Sequence, residues 1–134
     1  MILPAGAIVA VVDGETLRLF RNTGHEPEID LVPLPEPGLE ETSAGSGARH
    51  RSTSANPDVS RLKEDDFVAS VGAYLNKEVL ENRIESLAII ADPRSLGELR
   101  RQLHPQTAGK VAGELAKNLG DHAVGDIQAA ILAA

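Results

Sequence analysis

The sequence predicts an α/β domain with helices packed on a five-stranded mixed sheet in the order 3-2-1-4-5. Three observations carry this prediction. The runs "AIVAVV" (Ala7 to Val12) and "SLAIIA" (Ser86 to Ala91) are continuously apolar, which is typical of strands covered on both faces. An Asp-Gly pair follows the first run and precedes another strand-like segment. A long segment with helical apolar spacing precedes the second run.

The second and third strands are predicted from the residues that follow the first run. Asp13-Gly14 leads into "ETLRLF" (Glu15 to Phe20), and Asp-Gly between two strands indicates a hairpin with a type I′ turn. Such a turn needs positive φ at both central residues. The segment from Glu28 to Leu34 alternates polar and apolar residues and ends among prolines. Because proline cannot donate to a sheet ladder, this third strand is predicted at an edge.

A long loop and a long helix are predicted next. Residues from about 35 to 58 are rich in Gly, Ser, Pro and charge, which is typical of a flexible loop. A helix is predicted from about Ser60 to Asn82, since apolar residues recur there at spacings of three and four. The residues in this stripe are Phe67, Val71, Tyr74, Leu75 and Val79.

The stretch "SLAIIADPRSLGELRRQL" is predicted to turn a buried strand into a helix. Asp92 can accept hydrogen bonds from free amides of the first helical turn, and Pro93 suits the first helical position because no N–H is needed there. His104-Pro105 is predicted to end the helix. The inward-facing residues of this helix are Leu96, Leu99 and Leu103.

The segment 110–118 is ambiguous, whereas the last segment reads as a helix. Val111 and Leu115 fit a strand together with Gly113, and they fit a helix together with Leu119. The final helix is predicted to begin with Asp121 as its cap. Its inward-facing residues are Val124, Ile127 and Ile131.

The predicted topology follows if segment 110–118 is a strand. The two all-apolar strands occupy the middle of the sheet, and the hairpin places the second and third strands on one side. A right-handed crossover places the last strand on the other side. This arrangement is ribonuclease H-like, and residues 1–134 are predicted to form one domain.

Composition limits the classes of function. The chain has 134 residues, a formal charge of −7 and no cysteine, so thiolate catalysis and sulfur-ligated zinc are excluded. A general polyanion binder should be basic, so any contact with nucleic acid must be local. No segment reaches the roughly 20 apolar residues that span a bilayer, and the amino-terminal run lacks the positive residues of a signal peptide. We expect a cytoplasmic protein with no cofactor and no membrane contact.

Two groups of basic residues are candidate binding residues. Arg49, His50 and Arg51 form the densest cationic cluster and fall in the predicted loop, where they could grip phosphates or an acidic partner. The alternative is that they belong to a solvated linker. Arg94 lies in the first turn of its helix, where a bound anion would meet both helix amides and a cation. Arg100, with Arg101 beside it, is either a second contact or solvent-facing.

Three carboxylates offer an alternative reading as a metal-dependent hydrolase or nuclease. Asp13 ends the first strand, Glu78 lies on the long helix and Asp92 ends the fourth strand. Ribonuclease H-like enzymes hold two metals with carboxylates in such places. However, the turn needs Asp13 and the helix cap needs Asp92, so we predict no metal site and retain the pair as the alternative catalytic residues.

The sequence resembles the bacterial host-attachment family, proteins described as required for attachment to host cells. The matching segments are "VAVVDGETLRLF", "GARH" and "LAIIADPRSLGELRRQL". The family's Arg-His linker end and its helix start correspond to Arg49-His50 and Phe67-Val68. Its Pro-x-x-Leu-Gly-x-Leu-Arg turn corresponds to Pro93, Leu96, Gly97, Leu99 and Arg100. The family's Asp-Arg-Pro-Gly-Arg linker run is missing here.

That family is in turn similar to the middle domain of archaeal and eukaryotic peptide-chain release factors. In those proteins a Gly-Gly-Gln loop between the third strand and a long helix enters the ribosome and promotes peptidyl-tRNA hydrolysis. The corresponding stretch here, Ala44 to Arg51, contains glycines but no glutamine. The resemblance therefore implies a related fold and an RNA- or ribosome-facing loop, and it does not imply release chemistry.

The sequence thus favours a non-catalytic binding module of the host-attachment type. The expected contacts are Arg49, His50, Arg51, Arg94 and Arg100, with RNA or a ribosome as the expected partner. The competing hypotheses are the hydrolase that uses Asp13 and Asp92, and a protein that associates with a protein partner through an exposed edge strand, either the proline-marked third strand or the last one. The sequence does not fix the oligomeric state.

Overall fold

The computed structural model of the protein describes residues 1–40 and 59–134. The described chain forms five strands and four helices. In chain order these are β1 (Ile8–Val12), β2 (Leu17–Asn22), β3 (Leu31–Pro33), α1 (Val59–Leu80), β4 (Leu87–Ala91), α2 (Pro93–Gln102), α3 (Pro105–Ala108), β5 (Val111–Ala116) and α4 (Val124–Ala133).

The strands form one mixed sheet in the order β3-β2-β1-β4-β5, as predicted. β2 pairs antiparallel with both β1 and β3, whereas β4 pairs parallel with both β1 and β5. Both all-apolar strands lie in the centre, and every residue of β1 and β4 is buried. The α/β class and strand order are therefore confirmed, while the ribonuclease H-like label stays a prediction.

Two apolar cores lie on the two faces of the sheet. Successive strand residues point to opposite faces, so β1 and β4 supply both cores. One core joins the sheet to α1 and α2, and its helical members are Val68, Val71, Leu75, Val79, Leu96 and Leu99. The other joins the sheet to α4 through Ile127 and Ile131, with Leu3 and Leu119 beside them. The predicted inward faces of the helices are thus correct, with Val124 partly buried.

The β1–β2 hairpin is present, but the predicted type I′ turn is wrong. Val12 pairs with Leu17, so the loop has the four residues 13–16 rather than two. Oδ1 of Asp13 accepts hydrogen bonds from the amides of Glu15 and Thr16, each at 2.7 Å. This aspartate-closed turn does not require positive φ, and Gly14 does not have it.

Of the two predicted helix caps, one is correct and the other is wrong. Asp92 caps α2, since its Oδ2 accepts a hydrogen bond from the amide of Ser95 at 3.1 Å. Asp121 does not cap α4, because that helix begins at Val124 and its cap residue is Ala123, which has no side-chain acceptor. Asp121 therefore lies too far upstream to reach the free amides.

The ambiguous segment 110–118 contains a strand. The carbonyl of Lys110 accepts a hydrogen bond from the amide of Leu87 at 3.0 Å, and β5 then follows β4 in parallel. A one-turn helix, α3, precedes it and was not predicted. Its start at Pro105 is capped by the side chain of His104, which accepts from the amide of Gln106.

Helices α1 and α2 lie in close contact at Gly72. A Cβ at this position would lie 2.7 Å from Cβ of Gln102 and 3.5 Å from Cδ1 of Leu99. We expect Gly72→Ala to lower the free energy of unfolding by about 1 kcal/mol, because overpacking costs about 1–3 kcal/mol and outweighs the helix propensity gained. Urea denaturation measures this change.

Gly97 provides the matched control for Gly72. It lies in α2, is exposed, and a Cβ there would meet nothing within 4 Å. Gly97→Ala should therefore raise the free energy of unfolding by about 0.5–1 kcal/mol through helix propensity alone. Equal stabilisation by both substitutions would contradict the close contact at Gly72.

Candidate functional site

A polar groove of about 300 Å³ lies at the carboxyl ends of β1 and β4. Crevices at this edge are where open α/β sheets bind ligands. The groove is lined by Asp13, Gly14, Glu15, Glu64, Asp92, Ser95 and Asn118. The structure thus brings together Asp13 and Asp92, the two carboxylates of the hydrolase alternative.

The carboxylate of each of these aspartates accepts hydrogen bonds from nearby backbone amides. Oδ1 of Asp13 closes the β1–β2 turn, and its Oδ2 lies so close to Gly120 that a Cβ there would be 2.2 Å away. Oδ2 of Asp92 caps α2, while its Oδ1 is buried and has no hydrogen-bond partner among the described residues. The local roles predicted from the sequence are therefore present.

The carboxylate that α1 contributes to this groove is Glu64, not Glu78. Glu64 lies against Gly14, where a Cβ would be 2.8 Å from Cγ and Cδ of the glutamate. A crossover helix between parallel strands starts at their carboxyl ends, so an early residue of α1 was the one to expect there. The position of Glu64 near the start of this helix was visible in the sequence, but only Glu78 was considered there.

Glu78 belongs to a separate cluster near the end of α1. Its carboxylate accepts a hydrogen bond from Nε of Arg83 at 2.6 Å and one from the Tyr74 hydroxyl at 3.3 Å. Burial first, and then the Glu78 charge, raise the pKa of Tyr74. Across residues 1–40 and 59–134, no three His, Asp or Glu side chains are placed to hold a metal ion.

Arg94 and Arg100 lie on different flanks of α2. The guanidinium of Arg94 donates to both carboxylate oxygens of Asp65 on α1, at 2.9 and 3.0 Å. The guanidinium of Arg100 donates to Oε1 of Glu114 on β5, at 2.7 and 3.0 Å, and this hydrogen bond raises the pKa of Arg100. The two arginines therefore contact different elements and do not form one site.

The arginines remain accessible although each has an acidic neighbour. Side-chain exposure is 42% for Arg94 and 58% for Arg100. Arg101 is 75% exposed and pairs with Glu98. Exposed ion pairs of this kind contribute at most about 1 kcal/mol, so an approaching anion can compete for these guanidinium groups.

Arg49, His50 and Arg51 lie outside the described residues, within 41–58. The described chain resumes at Val59 as α1, whose early residues Glu64 and Asp65 adjoin the β1–β2 turn and Arg94. The start of α1, which follows this cluster in sequence, therefore lies at the carboxyl edge of the sheet.

No helix in the described part of the chain combines the length and apolar character needed to cross a membrane.

Comparison with known proteins gives one family match. The model of bacterial archaeo-eukaryotic release factor family 12 matches residues 6–131, which is nearly the whole chain. A search of curated proteins finds no match. The family match supports the release-factor side of the resemblance, and it does not extend to the host-attachment description.

Proposed function

The chain belongs to bacterial archaeo-eukaryotic release factor family 12, and from that membership we propose a non-catalytic binding module that contacts RNA or the ribosome. The observation that carries the proposal is the family match over residues 6–131. A module of this kind works where ribosomes are, so the proposal includes a cytoplasmic location.

The charge distribution supports a local contact rather than a broad one. The chain carries a formal charge of −7, and Asp13, Glu15, Glu64 and Asp92 line the groove at the carboxyl edge. Such a groove repels phosphates. An RNA backbone must therefore be bound by cations outside this groove, and we assign this role to Arg49, His50 and Arg51.

Chain length limits the distance between Arg51 and the start of α1. Arg51 precedes Val59 by eight positions, and eight residues of chain span at most about 30 Å. α1 starts at the same edge of the sheet as Arg94, whose guanidinium is exposed enough to join an anion contact. Arg100 lies six positions along α2, about 9 Å further along the helix axis, and offers a separate second contact.

Residue types in the loop argue against release chemistry. The release factors that the family resembles use a Gly-Gly-Gln loop, and the stretch 41–58 contains glycines but no glutamine. Arginine and histidine side chains bind phosphates through charge-assisted hydrogen bonds. Binding without hydrolysis is the function that these residue types support.

The proposal predicts salt-dependent binding to ribosomes or tRNA. We expect R49A/R51A to weaken binding and to reduce the slope of log affinity against log salt by about 1 to 2, since each lost phosphate contact removes about 0.7–0.9. Co-sedimentation with ribosomes and filter binding of tRNA, each across a range of salt concentrations, measure the two quantities.

R21A/R83A is the matched control because it removes the same charge from the opposite edge of the sheet. Arg21 pairs with the first residue of β1, and Arg83 precedes β4. This control should bind like the unmodified chain. Absent or salt-insensitive binding by the unmodified chain would overturn the proposal, as would equal loss in both double variants.

A further inference from the structure

The outer edge of β5 adjoins a second groove, distinct from the one at the carboxyl edge. β5 ends the sheet and pairs with β4 on one side. The groove has a volume of about 440 Å³ and runs between β5 and the helices α2 and α3. Its lining includes the apolar residues Leu103, Ala108 and Val111, with Arg100 and Glu114 at its polar side. An edge strand beside such a groove is the geometry used for strand addition.

β5 is longer than the opposite edge strand and contains no proline. The opposite edge strand, β3, has three residues and contains Pro33, and both features discourage strand addition. β5 has six residues, "VAGELA", with one β-bulge at Ala112, because Leu87 pairs with Val111 and Ala88 with Gly113. The pairing with β4 is regular from Gly113 to Ala116, and the side chain of Met1 lies against Gly113.

The charges around this edge select the kind of partner. Three exposed cationic residues adjoin β5 and its groove: Arg100 lines the groove, Lys110 precedes β5 and Lys117 follows it. One carboxylate, Glu114, lies among them. The surroundings of β5 thus carry a local excess of two positive charges in a chain whose formal charge is −7. A peptide with acidic side chains complements this edge.

We propose that β5 binds an extended peptide that carries acidic and apolar side chains, by addition of one strand to the sheet. Main-chain hydrogen bonds to the free edge of β5 supply affinity. An apolar side chain enters the groove over Leu103, Ala108 and Val111, and acidic side chains reach Lys110, Lys117 and the exposed guanidinium of Arg100. This site shares Arg100 with the RNA contact proposed above and otherwise uses residues outside 41–58.

The test uses isotope-labelled protein and the acetylated, amidated peptide EVELEVE, with KVKLKVK as the basic counterpart. We expect EVELEVE to shift the amide resonances of residues 111–116 in a saturable way. KVKLKVK should leave them in place. The charge-reversal variant K110E/K117E should weaken EVELEVE binding roughly tenfold, because two exposed charge pairs are each changed from attraction to repulsion.

The control K63E/R21E reverses two exposed charges away from β5 and should bind EVELEVE like the unmodified chain. The variant R49A/R51A should do so too, which keeps this result independent of the ribosome test. No shifts in β5 would overturn the proposal. Shifts that grow with protein concentration alone would assign the edge to a second copy of the chain. Shifts caused by tRNA would assign it to RNA, and either assignment overturns the peptide site.

Discussion

Replacing Leu99 with alanine is expected to lower the free energy of unfolding by about 2–5 kcal/mol. Leu99 is fully buried and lies in the core that joins α1 and α2 to the sheet. Its Cδ1 lies close to Gly72, where α1 and α2 are in close contact, so the structure has little freedom to close the cavity. Urea denaturation followed by circular dichroism measures the loss.

Leu132→Ala is the matched control for this prediction. Leu132 lies on α4 with 57% of its surface exposed, so its truncation should change the free energy of unfolding by less than about 0.5 kcal/mol. A loss below about 1 kcal/mol for Leu99→Ala would show that α2 does not pack on the sheet as described. In that case Arg94 and Arg100 would lose the framework that positions them.

Replacing Asn22 with alanine is the second substitution expected to have a large effect. Its side chain is fully buried and makes four hydrogen bonds. Nδ2 donates to the carbonyl oxygens of Leu3 and Pro4, each at 3.2 Å, and Oδ1 accepts from the amides of Gly24 and Asp30, each at 3.0 Å. We expect a loss of about 2–4 kcal/mol, because backbone groups on both sides of β2 lose their partner.

Asn118→Ala is the control for the buried asparagine. Asn118 is exposed, and its Oδ1 accepts one long hydrogen bond, 3.5 Å from the amide of Gly120. Its removal should cost less than about 0.5 kcal/mol. Thermal and urea denaturation of the two variants compare the sites directly. Equal losses would mean that the Asn22 hydrogen bonds do not hold the amino-terminal segment on the sheet.

Prediction from the sequence succeeded where a local pattern has one stable structural outcome. A continuous apolar run must be covered on both faces, so Ile8–Val12 and Leu87–Ala91 became the central strands. Asp92 followed by Pro93 suits a helix start because one residue supplies an acceptor and the other needs no donor. Such patterns are decided by backbone chemistry within a few residues.

Prediction failed where two local solutions have similar energies. Asp13-Gly14 can form a two-residue hairpin turn, but here the carboxylate of Asp13 closes a four-residue loop instead. Asp121 has the side chain of a helix cap, but α4 begins further along the chain. Packing of the flanking strand and helix decides between such alternatives, and no short window of sequence contains that information.

The candidate sites show the same division. The sequence identified Asp13, Asp92, Arg94 and Arg100 as chemistry-bearing residues, but it could not tell which of them would meet. The fold placed both aspartates in one groove and sent the two arginines toward different neighbours, α1 and β5. Side-chain convergence depends on distances between elements far apart in the chain.

By itself, the sequence determined the central position of the two apolar strands, because burying aliphatic side chains on both faces leaves few arrangements for such runs. It predicted the strand order only on the condition that segment 110–118 is a strand. The tertiary structure alone decided that this segment is a strand, that α1 supplies Glu64 rather than Glu78 to the groove at the carboxyl edge, and that a second groove lies beside β5. The reason is physical. The hydrophobic effect selects which residues go inside, and it is non-directional, so it does not fix the orientation of each contact. Grooves and ion pairs, in contrast, depend on the relative placement of whole helices and strands.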